Sequence, residues 1–215
     1  MTAPGQPSLR RLDPQLPIRG VVLMLHGGAV SGSEPVDRRS GPYQRSGNMR
    51  RSIAGDLLNR GWAVHLLRFG VKGWNHRDGE IPAPVRDARW ALEQIRECYD
   101  APPLILVGHS MGARTAFHVA DDPQVRGVVA LAPWCEREDP VSGLRDKDLI
   151  ALHGQRDRVT NPLYTQKYLA RAAAAGARTQ YLDMGPVGHY MIRRIRQWNQ
   201  RTSQAIVEIA STVSG

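Results

Sequence analysis

The sequence holds only two cysteines, Cys98 and Cys135, and they stand in no metal-ligand or redox spacing. A disulfide between them stays open on sequence alone, but two reduced thiols in a cytoplasmic protein is the expectation. No run approaches the ~18 consecutive apolar residues of a membrane-spanning helix. The segment from Met1 to Leu16 carries Pro4, Pro7 and Pro14 without an apolar stretch, so it does not read as a signal peptide. Internal repeats, low-complexity tracts and dividing linkers are missing too. Residues 1–17 are therefore expected to form a flexible arm and residues 18–215 one domain, long enough to bury a substantial core.

Acidic residues are in deficit, with 20 Asp and Glu against 29 Lys and Arg, which gives a net charge of +9 and a pI near 10.2. The excess is nearly all arginine and is spread along the chain in short runs such as Arg38-Arg39, Arg50-Arg51 and Arg193-Arg194-Arg196. A nucleic-acid surface needs clustered cations together with a readable recognition element, and none is present. Solvated helix faces account for the charge, and no nucleic-acid partner is expected, though the field can favour anionic substrates.

What is there is an alternation of short apolar runs with longer segments of helical period. The strand candidates are Val21–His26, Ala63–Phe69, Leu104–Gly108, Gly127–Ala132, Leu149–His153 and Thr179–Leu182. Most are continuously apolar, as strands covered on both faces must be. Between them, Val85, Ala88, Leu92, Ile95 and Tyr99 make one apolar stripe, as do Met49, Ile53 and Leu57. Met191, Ile195, Trp198, Ile206 and Ile209 are expected to share one side of a last helix. The pattern predicts an α/β fold: a doubly wound, mostly parallel sheet of about six or seven strands with helices on both faces. Function gathers at the carboxyl ends of the strands in such a sheet.

The central motif there is Gly108-His109-Ser110-Met111-Gly112. It follows the run Leu104–Val107 and opens a helical segment from Ala113 to Ala120. A strand–nucleophile–helix turn needs small residues on both sides of a strained serine, and the glycines supply them. The bland alternative is an ordinary turn whose serine caps the helix.

On this motif the sequence resembles the α/β-hydrolase superfamily, and the resemblance runs from about Ile18 to Val213. It implies a catalytic triad in the chain order serine, acid, histidine. The acid falls on Asp157 in His153-Gly154-Gln155-Arg156-Asp157, which follows the strand ending at His153; Glu136 and Asp139 are weaker alternatives. The histidine falls on His189 in Gly188-His189-Tyr190, ahead of the last helix, with His76 as its rival. His65 and His118 read as packing residues and His26 as structural. In the superfamily, backbone amides after the first His-Gly (here His26-Gly27-Gly28) and after the nucleophile form the oxyanion hole. That nominates Gly28, with Ala29 as runner-up, and Met111.

The resemblance thus implies a serine esterase acting on a small acyl ester or thioester. Acyl transfer, amide cleavage and a non-catalytic binding module stay open on sequence alone, as does the oligomeric state. Neither a metal nor an organic cofactor is implied. Only about a dozen residues, Cys135 to Asp148, stand where relatives insert a helical lid, so the domain is expected to be lidless. Two loops on the catalytic edge are expected to shape the pocket: one from Ala29 to Gly47, the other from Gly70 to Pro84 and carrying Arg77. Ala29, Trp74, His109 and Trp134 are the expected pocket residues.

Overall fold

The apolar runs become the central strands of one sheet. The computed structural model describes residues 5–76 and 79–213, so Arg77 lies outside the described residues. Its strands are β1 (Ser8–Arg10), β2 (Gly20–Leu25), β3 (Trp62–Arg68), β4 (Leu104–His109), β5 (Val125–Leu131), β6 (Asp148–His153) and β7 (Arg178–Asp183). They lie in the order β1-β3-β2-β4-β5-β6-β7. Every neighbouring pair is parallel except β1 with β3. β2 and β4 are buried along their whole length, which is why they read as continuous apolar runs. β7 stands at an edge and only half buries its residues.

The helices are α1 (Gly41–Asn59), α2 (Ala83–Tyr99), α3 (Met111–Val119), α4 (Pro162–Ala174) and α5 (Ile195–Val213). α1 and α5 pack together on one face of the sheet; α2, α3 and α4 cover the other. Leu23, Leu57, Leu92, Leu104 and Trp198 are among the side chains fully buried between these layers. Each such side chain contributes roughly 1.5–3 kcal/mol by leaving water.

Three expectations need correction. Residues 8–10 of the expected flexible arm are an edge strand, with Ser8, Leu9 and Arg10 in register with Arg68, Leu67 and Leu66. Asp13 holds the following stretch down, because its Oδ1 accepts from Tyr99 Oη at 2.7 Å and lies 2.9 Å from His65 Nε2. The expected loop from Ala29 to Gly47 is shorter, since α1 begins at Gly41 and carries Tyr43 and Arg45; Pro42 in its first turn has no N–H to leave unsatisfied. The last helix starts only at Ile195, which is exposed, and Met191 is buried in the loop before it.

The order of strands puts the ends of β2, β4, β5 and β6 side by side. Four short loops therefore meet at one rim, and the tight turn from β4 into α3 lies at its centre.

Candidate active site

Ser110 occupies that turn with φ 52° and ψ −115°, a conformation that L-residues rarely adopt. Holding it there costs on the order of 1–3 kcal/mol, which the packing around it must supply. A Cβ on Gly108 would come within 2.4 Å of Ala113 N, and one on Gly112 within 2.2 Å of Leu25 O. Only glycine lets the start of α3 sit this close to β2. Ser110 makes no side-chain capping bond to α3, so its hydroxyl is not spent on the helix. The Ser110 carbonyl accepts from Ala113 N, Arg114 N and Trp134 N at 3.0, 3.2 and 3.3 Å.

Asp157 follows β6 in a turn that its own carboxylate closes. Oδ1 accepts from Val159 N at 2.8 Å and Thr160 N at 2.9 Å. Oδ2 accepts from His189 Nδ1 at 2.8 Å, Thr160 Oγ1 at 2.9 Å and His153 Nε2 at 3.1 Å. Burial alone would raise this carboxyl. The bonds from His153, His189 and the Thr160 amide outweigh burial and hold it far below the ordinary carboxylate range.

The bond to Asp157 also fixes the proton of His189. Nδ1 must carry it to donate, which leaves Nε2 bare as an acceptor. His189 is buried, and its backbone oxygen accepts from His109 Nε2 at 3.1 Å. The two rings lie 4.9 Å apart, so the residue next to Ser110 holds the histidine loop against the turn. No hydrogen bond joins Ser110 to His189 among the described residues. In free enzymes that contact is often loose and tightens once substrate is bound.

The backbone amides of Gly28 and Met111 donate to no protein acceptor among the described residues. A Cβ on Gly28 would stand 2.3 Å from Met111 Cε and 2.5 Å from Lys72 O, so the loop after β2 and the start of α3 touch here. The Ala29 amide donates to Lys72 O at 2.9 Å, which removes it as an oxyanion donor. His26 is buried and accepts from Phe69 N at 3.1 Å; burial lowers its pKa to about 4. It ties β2 to β3. His76 lies exposed in its loop.

Of the expected pocket residues, His109 is buried and Ala29 exposed. Trp74 is only 2% exposed, packed against His118 and Trp134, so it braces the wall and offers no open face. His118 is more than packing: its Nε2 lies 3.1 Å from Asp139 Oδ1. Asp139, weighed as an alternative acid, is buried away from His189; it accepts from Arg114 Nε at 2.8 Å and Glu136 N at 2.8 Å. Sequence reasoning passed over Arg114, Thr160 and the bond from His153 to the carboxylate. For His153 the spacing of four before Asp157 was a usable signal; Arg114 and Thr160 left none.

Comparison with known proteins comes out one-sided. A family model described as alpha/beta hydrolase fold matches residues 20–163. Curated proteins give no match. Among solved structures, an alpha-beta serine hydrolase homologue from Coxiella burnetii superposes with a TM-score of 0.69 at 15% identity, covering 95% of this chain and 94% of its own. A serine hydrolase without lid from Xanthomonas campestris gives 0.67 at 15% identity, with 94% and 88% covered. A thermophilic esterase from Thermogutta terrifontis with butyrate bound gives 0.69 at 14% identity, with 96% and 89% covered.

Proposed function

Because this chain belongs to the alpha/beta hydrolase fold family, we propose that it is a serine hydrolase cleaving a small carboxylic ester or thioester through an acyl-enzyme on Ser110. One observation carries the reading: Asp157, already gripped by four donors, accepts from His189 Nδ1 at 2.8 Å. The arrangement leaves a bare Nε2 on the loop that His109 ties to the serine turn.

In the proposed reaction His189 Nε2 takes the Ser110 proton as Oγ attacks the acyl carbonyl. The oxygen that becomes negative is met by the amides of Gly28 and Met111, whose alignment is worth ~10²–10³ in rate per donor. The tetrahedral adduct collapses as His189 returns the proton to the leaving alcohol or thiol. Water, deprotonated by the same histidine, then attacks the acyl-enzyme and releases the acid and free Ser110. Asp157 stays ionised throughout and stabilises the imidazolium.

Support for a small substrate comes from the solved structures, where butyrate occupies the Thermogutta esterase. The loop between β5 and β6 holds a single 3-10 turn, Ser142–Leu144, which goes with a lidless single domain. Cys98 and Cys135 are free thiols, which goes with a cytoplasmic setting. No helix among the described residues is long and apolar enough to cross a membrane.

A fluorophosphonate probe tests the assignment. Wild type should be labelled and Ser110→Ala should not, while butyrate esters are turned over by wild type alone. A folded wild type that neither labels nor hydrolyses any ester in a graded panel is a binding module instead.

A further inference from the structure

Arg114 is a charged side chain at the rim that the proposed chemistry leaves unused. It stands one helical turn after Ser110, and its amide bonds the Ser110 carbonyl at 3.2 Å. Trp134 bonds the same carbonyl at 3.3 Å, so both residues are anchored to the nucleophile's own backbone. The guanidinium carbon lies 4.5 Å from the centre of Trp74 and 4.4 Å from that of Trp134, in the corner the two indoles make. Nε donates to buried Asp139 at 2.8 Å. The side chain is thus 13% exposed and fixed on three sides.

Only Nε is engaged. Nη1 and Nη2 meet no protein acceptor among the described residues, and neither is among the buried polar atoms left without a partner, so both open to solvent. A planar guanidinium held still by stacking, with its outer edge unoccupied, matches a carboxylate through two parallel hydrogen bonds. The ordering entropy that normally weakens an arginine contact has already been spent in the fold. Asp139 cancels the charge that would otherwise make the site hold any anion, and Glu136, bonded to Trp134 Nε1 at 2.6 Å, adds a second negative group nearby. What is left is a directional fork rather than a general positive field.

We propose that Arg114 is a specificity-determining residue that binds a carboxylate on the substrate, so that the preferred esters carry an acid group a few bonds from the scissile carbonyl. The inference rests on the serine-hydrolase reading above and adds the substrate class.

Two matched pairs of esters test it, one for each side of the scissile bond. Monomethyl glutarate is compared with methyl pentanoate for an acid on the acyl side. 4-Acetoxybenzoate is compared with 4-methylphenyl acetate for an acid on the leaving side. Wild type should favour one acid over its neutral partner by at least about tenfold in kcat/KM. Arg114→Gln should remove that preference through KM, leaving the neutral esters within about threefold, and Arg114→Lys should restore part of it. Because Arg114→Gln could loosen the fold, wild type is also assayed on methyl pentanoate with added glutarate and 4-hydroxybenzoate. Competitive inhibition by one of these acids, and none by its neutral amide, is expected. Equal rates within both pairs, or a loss in Arg114→Gln that falls equally on all four esters with no inhibition of wild type, overturns the proposal while the serine-hydrolase reading stands. Failure to hydrolyse any of the four, beside absent fluorophosphonate labelling, removes both.

Discussion

His153, at the end of β6, and His189, in the loop after β7, donate to the same oxygen, Asp157 Oδ2, at 3.1 and 2.8 Å. His153 is in turn oriented by Thr165, 2.8 Å from its Nδ1. The carboxylate therefore cannot rotate without breaking a buried bond. His153→Phe removes a bond to a charged group worth about 1.5–3 kcal/mol, so kcat should fall on the order of 10–100-fold with KM little changed. The acid limb of the kcat/KM profile should move to higher pH as Asp157 loses a donor. An unshifted profile would reduce His153 to a packing residue.

Asp157→Asn keeps the shape and changes the proton. Its amide would offer N–H where Oδ2 now accepts, and His189 would be driven to carry its proton on Nε2, where the serine proton must go. The expected loss in kcat is about 10⁴-fold, with the fold kept. Residual activity within tenfold of wild type would show that His189 keeps its working tautomer without the Asp157 carboxylate.

Gly28→Ala separates the oxyanion role from the triad. The new Cβ would meet Met111 Cε at 2.3 Å and Lys72 O at 2.5 Å, so the loop must retreat from Met111. Rates of esterolysis should drop by ~10²–10³ while the Asp157–His189 bond is untouched. A kcat within threefold of wild type would take Gly28 out of the hole.

The parallel sheet was legible because β2, β4, β5 and β6 are covered on both faces and must be apolar throughout. The elbow was legible because two backbone approaches of under 2.5 Å demand glycine on both sides of one serine. The edges were not. β1 pairs through main-chain groups that any sequence owns, and its three residues leave too short a pattern to read. Arg114 was hidden for a different reason. Its neighbours come from two loops, Trp74 from the one after β3 and Trp134 and Asp139 from the one after β5, and no spacing in the chain announces that they meet.

The edge strand gives its own test. Deleting residues 1–10 strips the Ser8–Arg10 pairing from β3, together with the bonds from Arg68 Nε to Ser8 Oγ and from Arg50 Nη1 to Arg10 O, both at 3.0 Å. Losing the ladder and these two bonds should lower stability by at least about 2 kcal/mol in urea titration. The uncovered edge of β3, mostly apolar, should promote association on gel filtration. Esterase kcat of the monomer should stay within threefold, since β1 is an edge strand three places from β4 and Ser110. Unchanged stability would return residues 1–10 to the status of a loose arm.

Acid should weaken the fold through its buried imidazoles. Burial, helped by the neighbouring His189, lowers His109 to about 3, and burial lowers His26 to about 4, against an ordinary value near 6.5. Between those limits the unfolded chain takes up protons that the native chain refuses, so stability rises with pH across the window and is lost as pH falls from 6.5. At pH 5 each histidine should cost about 2 kcal/mol, together a large part of a stability of about 5–15 kcal/mol. Asp157 works in a lower window: its depressed value stabilises the fold above the ordinary carboxyl range, and that contribution is lost only below about pH 4. Urea midpoints measured from pH 7.5 to 5 should therefore fall steeply. His109→Phe, less stable or not at pH 7.5, should lose part of that slope because one refused proton is gone, while His26 and the buried His65, both also lowered by burial, keep theirs. A slope identical to wild type would show that His109 takes up its proton inside the folded protein, and with it that the contact to the His189 carbonyl survives an imidazolium.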